Sequence, residues 1–149
     1  MTRPMATAIA VLISLSLTLV AGTVVMAGGR PFSTDLSGAN EVPPADPDGS
    51  GTGQLWLNHG QRTVCWQLEV ANIAPATAAH IHHAAAGVNG PVVVPLSPPT
   101  GGTSSGCVDA TRLLITDIMH NPEDYYINVH NAEYPGGAVR GQLSRSSTH

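Results

Sequence analysis

The sequence predicts an all-β fold: an antiparallel β-sandwich or partly closed Greek-key barrel with one short helix. Three observations lead there. Several short segments alternate apolar and polar residues, the pattern of strands with one buried face. Turn-forming clusters punctuate the chain, and its 16 glycines and 12 prolines are too many for a helix-rich architecture. Two cysteines, Cys65 and Cys107, can close one intramolecular bridge across the strands.

The elements follow in order. Phe32 to Leu36 is a weak first strand, and the stretch NEVPPADPDGSGTG after it is too rich in Pro and Gly for regular structure. Gln54 to Asn58 and Thr63 to Val70 form a hairpin around His59-Gly60-Gln61. In the second strand Val64, Trp66, Leu68 and Val70 share one face and Cys65, Gln67 and Glu69 the other. AAHIHH, ending at His83, is a strand with Ile81 inward and His80 and His82 together on the opposite face. PVVVPL is a further strand, and Ser97 to Gly106 an irregular polar loop. Thr111 to His120 is the one helix, with Asp109 as its candidate cap, Leu114, Ile115 and Ile118 at helical spacing, and Pro122 as its stop. Tyr125 to Asn131 alternates again, Ile127 and Val129 against Tyr126, Asn128 and His130. AVRGQL closes the fold with Val139 and Leu143 inward and Arg140 and Gln142 outward.

The first 27 residues read as an export signal. Arg3 precedes an uncharged stretch from Ala6 to Ala27, and Val25-Met26-Ala27 suits cleavage after Ala27, with Ala21 as a second site. The alternative is an uncleaved membrane tether, since 22 uncharged residues can cross a bilayer of about 30 Å. Cleavage leaves one domain, residues 28–149, placed outside the cytoplasm with no remaining membrane segment. It carries five arginines against ten carboxylates and no lysine. The scattered arginines exclude a basic nucleic-acid surface. Export makes oxidation of Cys65 and Cys107 the default.

Histidine is the residue type that can carry chemistry. His80 and His82 project the same way from one strand, and His130 lies on the polar face of another. If those strands are neighbours, the three converge on one site. Imidazoles without a thiolate suit copper or zinc; calcium and magnesium prefer oxygen. The competing reading has the three as ordinary surface or hydrogen-bonding residues. His83 points to the opposite face from His80 and His82 and is read as packed or half exposed, with a ligand role as the lesser alternative; His59, His120 and His149 are read as structural or incidental. Glu41 and Arg140 adjoin apolar strand positions and are read as an ion pair that supports the terminal strands or orients an anionic ligand. Asp46 and Asp48 are read as solvated, with weak cation binding as the alternative. There is no nucleophile elbow, no phosphate loop and no Cys-x-x-Cys pair, so no catalytic residue is assigned.

Three motifs in order, LSGANEVPP, AAHIHHAAAGVNGPVV and YYINVHNAEYPGGAVRGQL, resemble the CHRD domain, the module repeated in the animal developmental regulator chordin and present singly in many bacterial secreted proteins. The resemblance covers residues 31–143 and implies an extracellular β-rich domain. Growth-factor antagonism is not carried over, because the cysteine-rich modules that accompany the domain in chordin are missing here. A more distant similarity is to copper/zinc superoxide dismutase, where a His-x-His strand and a later Val-His supply copper ligands. His80, His82 and Val129-His130 match that pattern, and Arg140 is similar to the arginine that guides superoxide. The resemblance implies a superoxide-dismutase-like sandwich, but this chain has no zinc loop between the two motifs. Three functions follow as expectations. The first is a secreted module binding copper or zinc through His80, His82 and His130. The second is a metal-free structural or protein-interaction module of the cell envelope, and the third is a superoxide-dismutating oxidoreductase.

Overall fold

A computed structural model describes residues 28–146, so the export signal and His149 lie outside the described residues. The chain forms β1 (Arg30–Ser37), β2 (Ser50–Asn58), β3 (Thr63–Ala71), β4 (Ala76–His83), β5 (Val92–Leu96), β6 (Thr103–Asp109), α1 (Arg112–His120), β7 (Tyr125–Asn131), β8 (Val139–Gln142) and β9 (Ser144–Arg145). Every pairing is antiparallel. The strands make one sheet in the order β5-β4-β7-β8-β1-β2-β3-β6, with β9 alongside β1. The sheet curls into a nearly closed barrel, whose end strands β5 and β6 are consecutive in the chain. Ser104 Oγ donates to Ser97 O at 2.7 Å across the connection between them.

Alternation decides which side chains enter the barrel. Phe32, Leu36, Leu55, Leu57, Val64, Trp66, Leu68, Ile81, Ile127 and Val129 share one continuous buried core. The helix adds Ile115 and Ile118 to it, both with no exposed surface. Each fully buried aliphatic of this kind contributes about 1.5–3 kcal/mol by leaving water. Cross-strand register follows from the same pattern, because a slip of one residue would turn each of these side chains to the outer face.

Four sequence expectations change. Residues 97–106 are not an irregular loop throughout, since β6 starts at Thr103. Its small, polar residues give no strand signal of their own and are held by pairing with β3. The helix is capped by Thr111, whose Oγ1 accepts from Leu114 N at 3.2 Å, not by Asp109, which is the last residue of β6. A short 3-10 turn at Gly38–Asn40 leads into the Pro/Gly stretch, which already enters β2 at Ser50, because β1 and β3 on both sides supply the hydrogen bonds. Asp46 is not solvated but buried, 6% exposed, within the segment that connects β1 to β2.

Cys65 and Cys107 face each other in the β3–β6 register and are joined by a disulfide that ties the end strand β6 to the barrel. The bridge closes a loop with a sequence separation of 42. Removing it as Cys65→Ser with Cys107→Ser is expected to cost about 2–4 kcal/mol, read as a lower urea midpoint with the slope little changed.

Candidate functional site

The site sits on the outer face of β4, β7 and β8. Because Ile81 points into the core, its neighbours His80 and His82 must point out. β7 pairs with β4 so that His80 is opposite Asn128, His82 opposite Tyr126 and Ala78 opposite His130. β8 follows, with Arg140 opposite Asn128 and Gln142 opposite Tyr126. His80, His82, His130, Tyr126, Asn128 and Arg140 therefore share one face of three adjacent strands.

The three imidazoles meet. One ligand atom from each of His80, His82 and His130 lies within 4.8 Å of the other two, and among the described residues this is the cluster of His, Cys, Asp or Glu able to hold a metal ion. His80 Nδ1 and His130 Nε2 are 3.1 Å apart. Two nitrogens bound about 2.0–2.1 Å from one ion at a tetrahedral angle are about 3.3 Å apart, so this spacing already approaches that of a coordination shell.

Backbone carbonyls fix the tautomers. His82 Nδ1–H donates to Gly90 O at 2.9 Å and His130 Nδ1–H to Pro135 O at 3.0 Å. A carbonyl only accepts, so each of these nitrogens carries the proton and leaves a bare Nε2 lone pair in the neutral ring. His130 Nε2 then accepts from His80 Nδ1–H, whereas His82 Nε2 is buried and has no partner. All three rings are held below the usual histidine pKa, mainly by burial. The neighbouring imidazoles add to this at His80 and His130, and Arg140 adds to it at His82. They stay neutral, the form that binds metal.

Gly90 can be no larger. A Cβ there would collide with the His83 carbonyl and the Ala84 methyl, so glycine lets the β4–β5 loop return close enough to reach His82. That loop is pinned from below. Tyr126 Oη accepts from Gly90 N at 3.2 Å, and Arg140 Nη1 donates to Asn89 Oδ1 at 3.0 Å and to Val88 O at 3.3 Å. Tyr126 stacks on His82, with centroids 4.8 Å apart, and the Arg140 guanidinium lies 4.4 Å from the tyrosine centroid.

Arg140 points to the outer face, as alternation has it, yet is 2% exposed. Alternation reports the side of a sheet, not what folds over it, and here the segment after β1 and the β4–β5 loop both cover that side. Arg140 Nε donates to Asn40 O at 2.8 Å and lies 3.9 Å from Glu41 Oε2. Glu41 also accepts from Asn128 Nδ2 at 2.6 Å. Burial drives the Glu41 carboxyl up to about 7, against the opposing pull of Arg140 and of the Asn128 hydrogen bond.

Glu41 therefore favours the folded state most below about pH 4.5, where it is protonated folded and unfolded alike. That contribution declines as pH rises to about 7. The lowered histidines slope the other way, adding stability as pH rises toward 6.5. The Glu41 part is isolated as a difference: unfolding free energies of Glu41→Gln and the parent protein, measured from pH 4 to 8, are expected to diverge in favour of Gln as pH rises. A pH-independent difference would show that Glu41 does not titrate in this range.

The remaining histidines stand apart from the cluster. His83 is exposed and stacks on Tyr125 at 4.6 Å, His120 ends the helix with Nδ1–H donating to Thr116 O at 2.7 Å, and His59 lies in the β2–β3 turn. Sequence reasoning missed Gly90, Pro135 and Asn89, which hold the histidines from loops; the one available signal was that all three lie within the turn sequences GVNG and EYPGG. Curated proteins and solved structures yield no match to this chain. The family model of the CHRD domain does match, over residues 32–143, a span that contains every strand and side chain of this site, and the chain belongs to the CHRD-domain family.

Proposed function

We propose that this protein is an exported CHRD module that binds copper or zinc through His80, His82 and His130. The observation that carries the reading is the tautomer control. Gly90 O and Pro135 O take the Nδ1 protons of His82 and His130, which turns two Nε2 lone pairs toward the cluster, and one of them is buried without a partner. Second-sphere carbonyls of this kind orient and strengthen histidine ligands. An ion would take the place of the proton shared by His80 and His130, which moves to His80 Nε2, and it would satisfy His82 Nε2. The disulfide fits an exported chain, and residues 1–27 supply the signal in this reading. No helix among the described residues is long and apolar enough to cross a membrane.

Metal analysis of the purified protein after copper or zinc is supplied is expected to find one ion per chain. Because the imidazole pKa values lie below 6.5, affinity should hold steady from pH 8 to about 6.5 and fall only in more acid solution. Stoichiometry near zero at pH 7.5 overturns the proposal and leaves the histidines as part of a metal-free envelope module.

A further inference from the structure

We infer that the ion suited to this cluster is monovalent copper, held in preference to divalent copper or zinc. This rests on the metal-binding reading above and adds the identity and charge of the ion.

The donor set is the first argument. The cluster consists of three imidazoles, and no carboxylate or thiolate belongs to it. Neutral ligands leave the whole charge of the ion in the site, and the cost of partly burying a charge grows with its square. A dication is penalised more than a monocation in such a setting unless anions offset it.

The second argument is the fixed charge behind the site. β7 lies between β4 and β8, so Tyr126 receives His82 from one side and Arg140 from the other. The guanidinium is permanently charged, 2% exposed and poorly screened by water. It repels a divalent ion on His82 twice as strongly as a monovalent one. Glu41, its partner at 3.9 Å, offsets that field incompletely near neutrality, since its carboxyl titrates at about 7.

Coordination number points the same way. Zinc in structural sites takes four protein ligands, and catalytic zinc completes three with water. Here the neighbouring hydroxyl, that of Tyr126, is turned to Gly90 N, and His82 Nε2 is closed to solvent. Three imidazoles without a fourth protein donor satisfy cuprous copper, which accepts three-coordination, better than they satisfy zinc.

The test is competition of the purified protein against chromogenic chelators for Cu(I), in ascorbate without oxygen, and for Cu(II), with a parallel zinc titration. Cu(I) is expected to bind at one per chain and about 100-fold or more tighter than Cu(II) or Zn(II), each tenfold between the copper states raising the potential of the bound couple by about 59 mV. Arg140→Gln should narrow the Cu(I)/Cu(II) ratio by about tenfold while Arg140→Lys keeps it. Cu(II) or zinc bound as tightly as Cu(I) overturns the assignment of the ion and leaves the metal site standing. A ratio unchanged in a folded Arg140→Gln protein overturns its electrostatic basis. No copper bound in either state overturns both proposals, and this wild-type measurement does not depend on any variant folding.

Discussion

His130→Ala, and equally His80→Ala with His82→Ala, is expected to lower copper affinity by about 100-fold or more while costing only about 1–2 kcal/mol of stability, the scale of the lost hydrogen bonds. The two halves of this expectation have separate physical origins. In the proposed site each imidazole would supply one of three donor nitrogens, so deletion would remove a metal bond outright. Each ring is also only half-buried, whereas the core side chains beneath, Ile81, Ile127 and Val129, are fully enclosed and unaffected. The parent site even carries an internal cost, an unpartnered buried Nε2 on His82, that the variants lacking His82 shed. Isothermal titration paired with urea unfolding reads both quantities. A large loss of stability with metal affinity unchanged would make the three histidines structural.

Arg140→Met is expected to destabilise the fold by about 3–5 kcal/mol, the range for removing one partner of a buried ion pair. Methionine fills much of the volume, so the loss is chiefly polar: Asn40 O, Asn89 Oδ1, Val88 O and Glu41 all face the guanidinium. The cost should be greater at pH 8 than at pH 5. Without the cation the Glu41 carboxyl, already raised to about 7, takes up a proton more readily and escapes as a neutral group at the lower pH. Arg140→Met combined with Glu41→Gln should therefore recover part of the loss at pH 8. Urea unfolding of the single and double variants at both pH values reads this directly, and equal costs at pH 5 and pH 8 would mean that Glu41 is not the group left stranded.

Metal affinity connects these two results. Arg140 holds Asn89, the next residue is Gly90, and Gly90 O orients His82. Loosening this loop removes second-sphere support, so Arg140→Met should also weaken copper binding, without deleting a ligand.

Much of the fold was written in local patterns. The hairpin of β2 and β3, the inward Ile81, the helix over Arg112–His120 and the outward pair His80 and His82 all follow from periodicity, because a strand alternates strictly and a helix repeats every 3.6 residues. Where pattern is weak, the reading failed. Residues Thr103–Asp109 have almost no apolar residues and became β6 only because β3 offers an unpaired edge and Cys65 a bridge. The Asp109 cap lost to Thr111 because Asp109 was already committed to pairing with Thr63.

The sequence by itself determined an all-β CHRD domain, its disulfide partners, and which residues share the outer face of each strand, since these depend on residue order along single elements. It also singled out His80, His82 and His130, but only conditionally. The tertiary structure decided that β4 and β7 are neighbours in a register that places His130 beside His80. It decided too that Arg140 and Glu41 lie buried beneath two loops, and that Gly90 and Pro135 set the imidazole tautomers. Those facts depend on which strands pair and where loops return, a long-range outcome of packing the whole barrel that no local periodicity encodes.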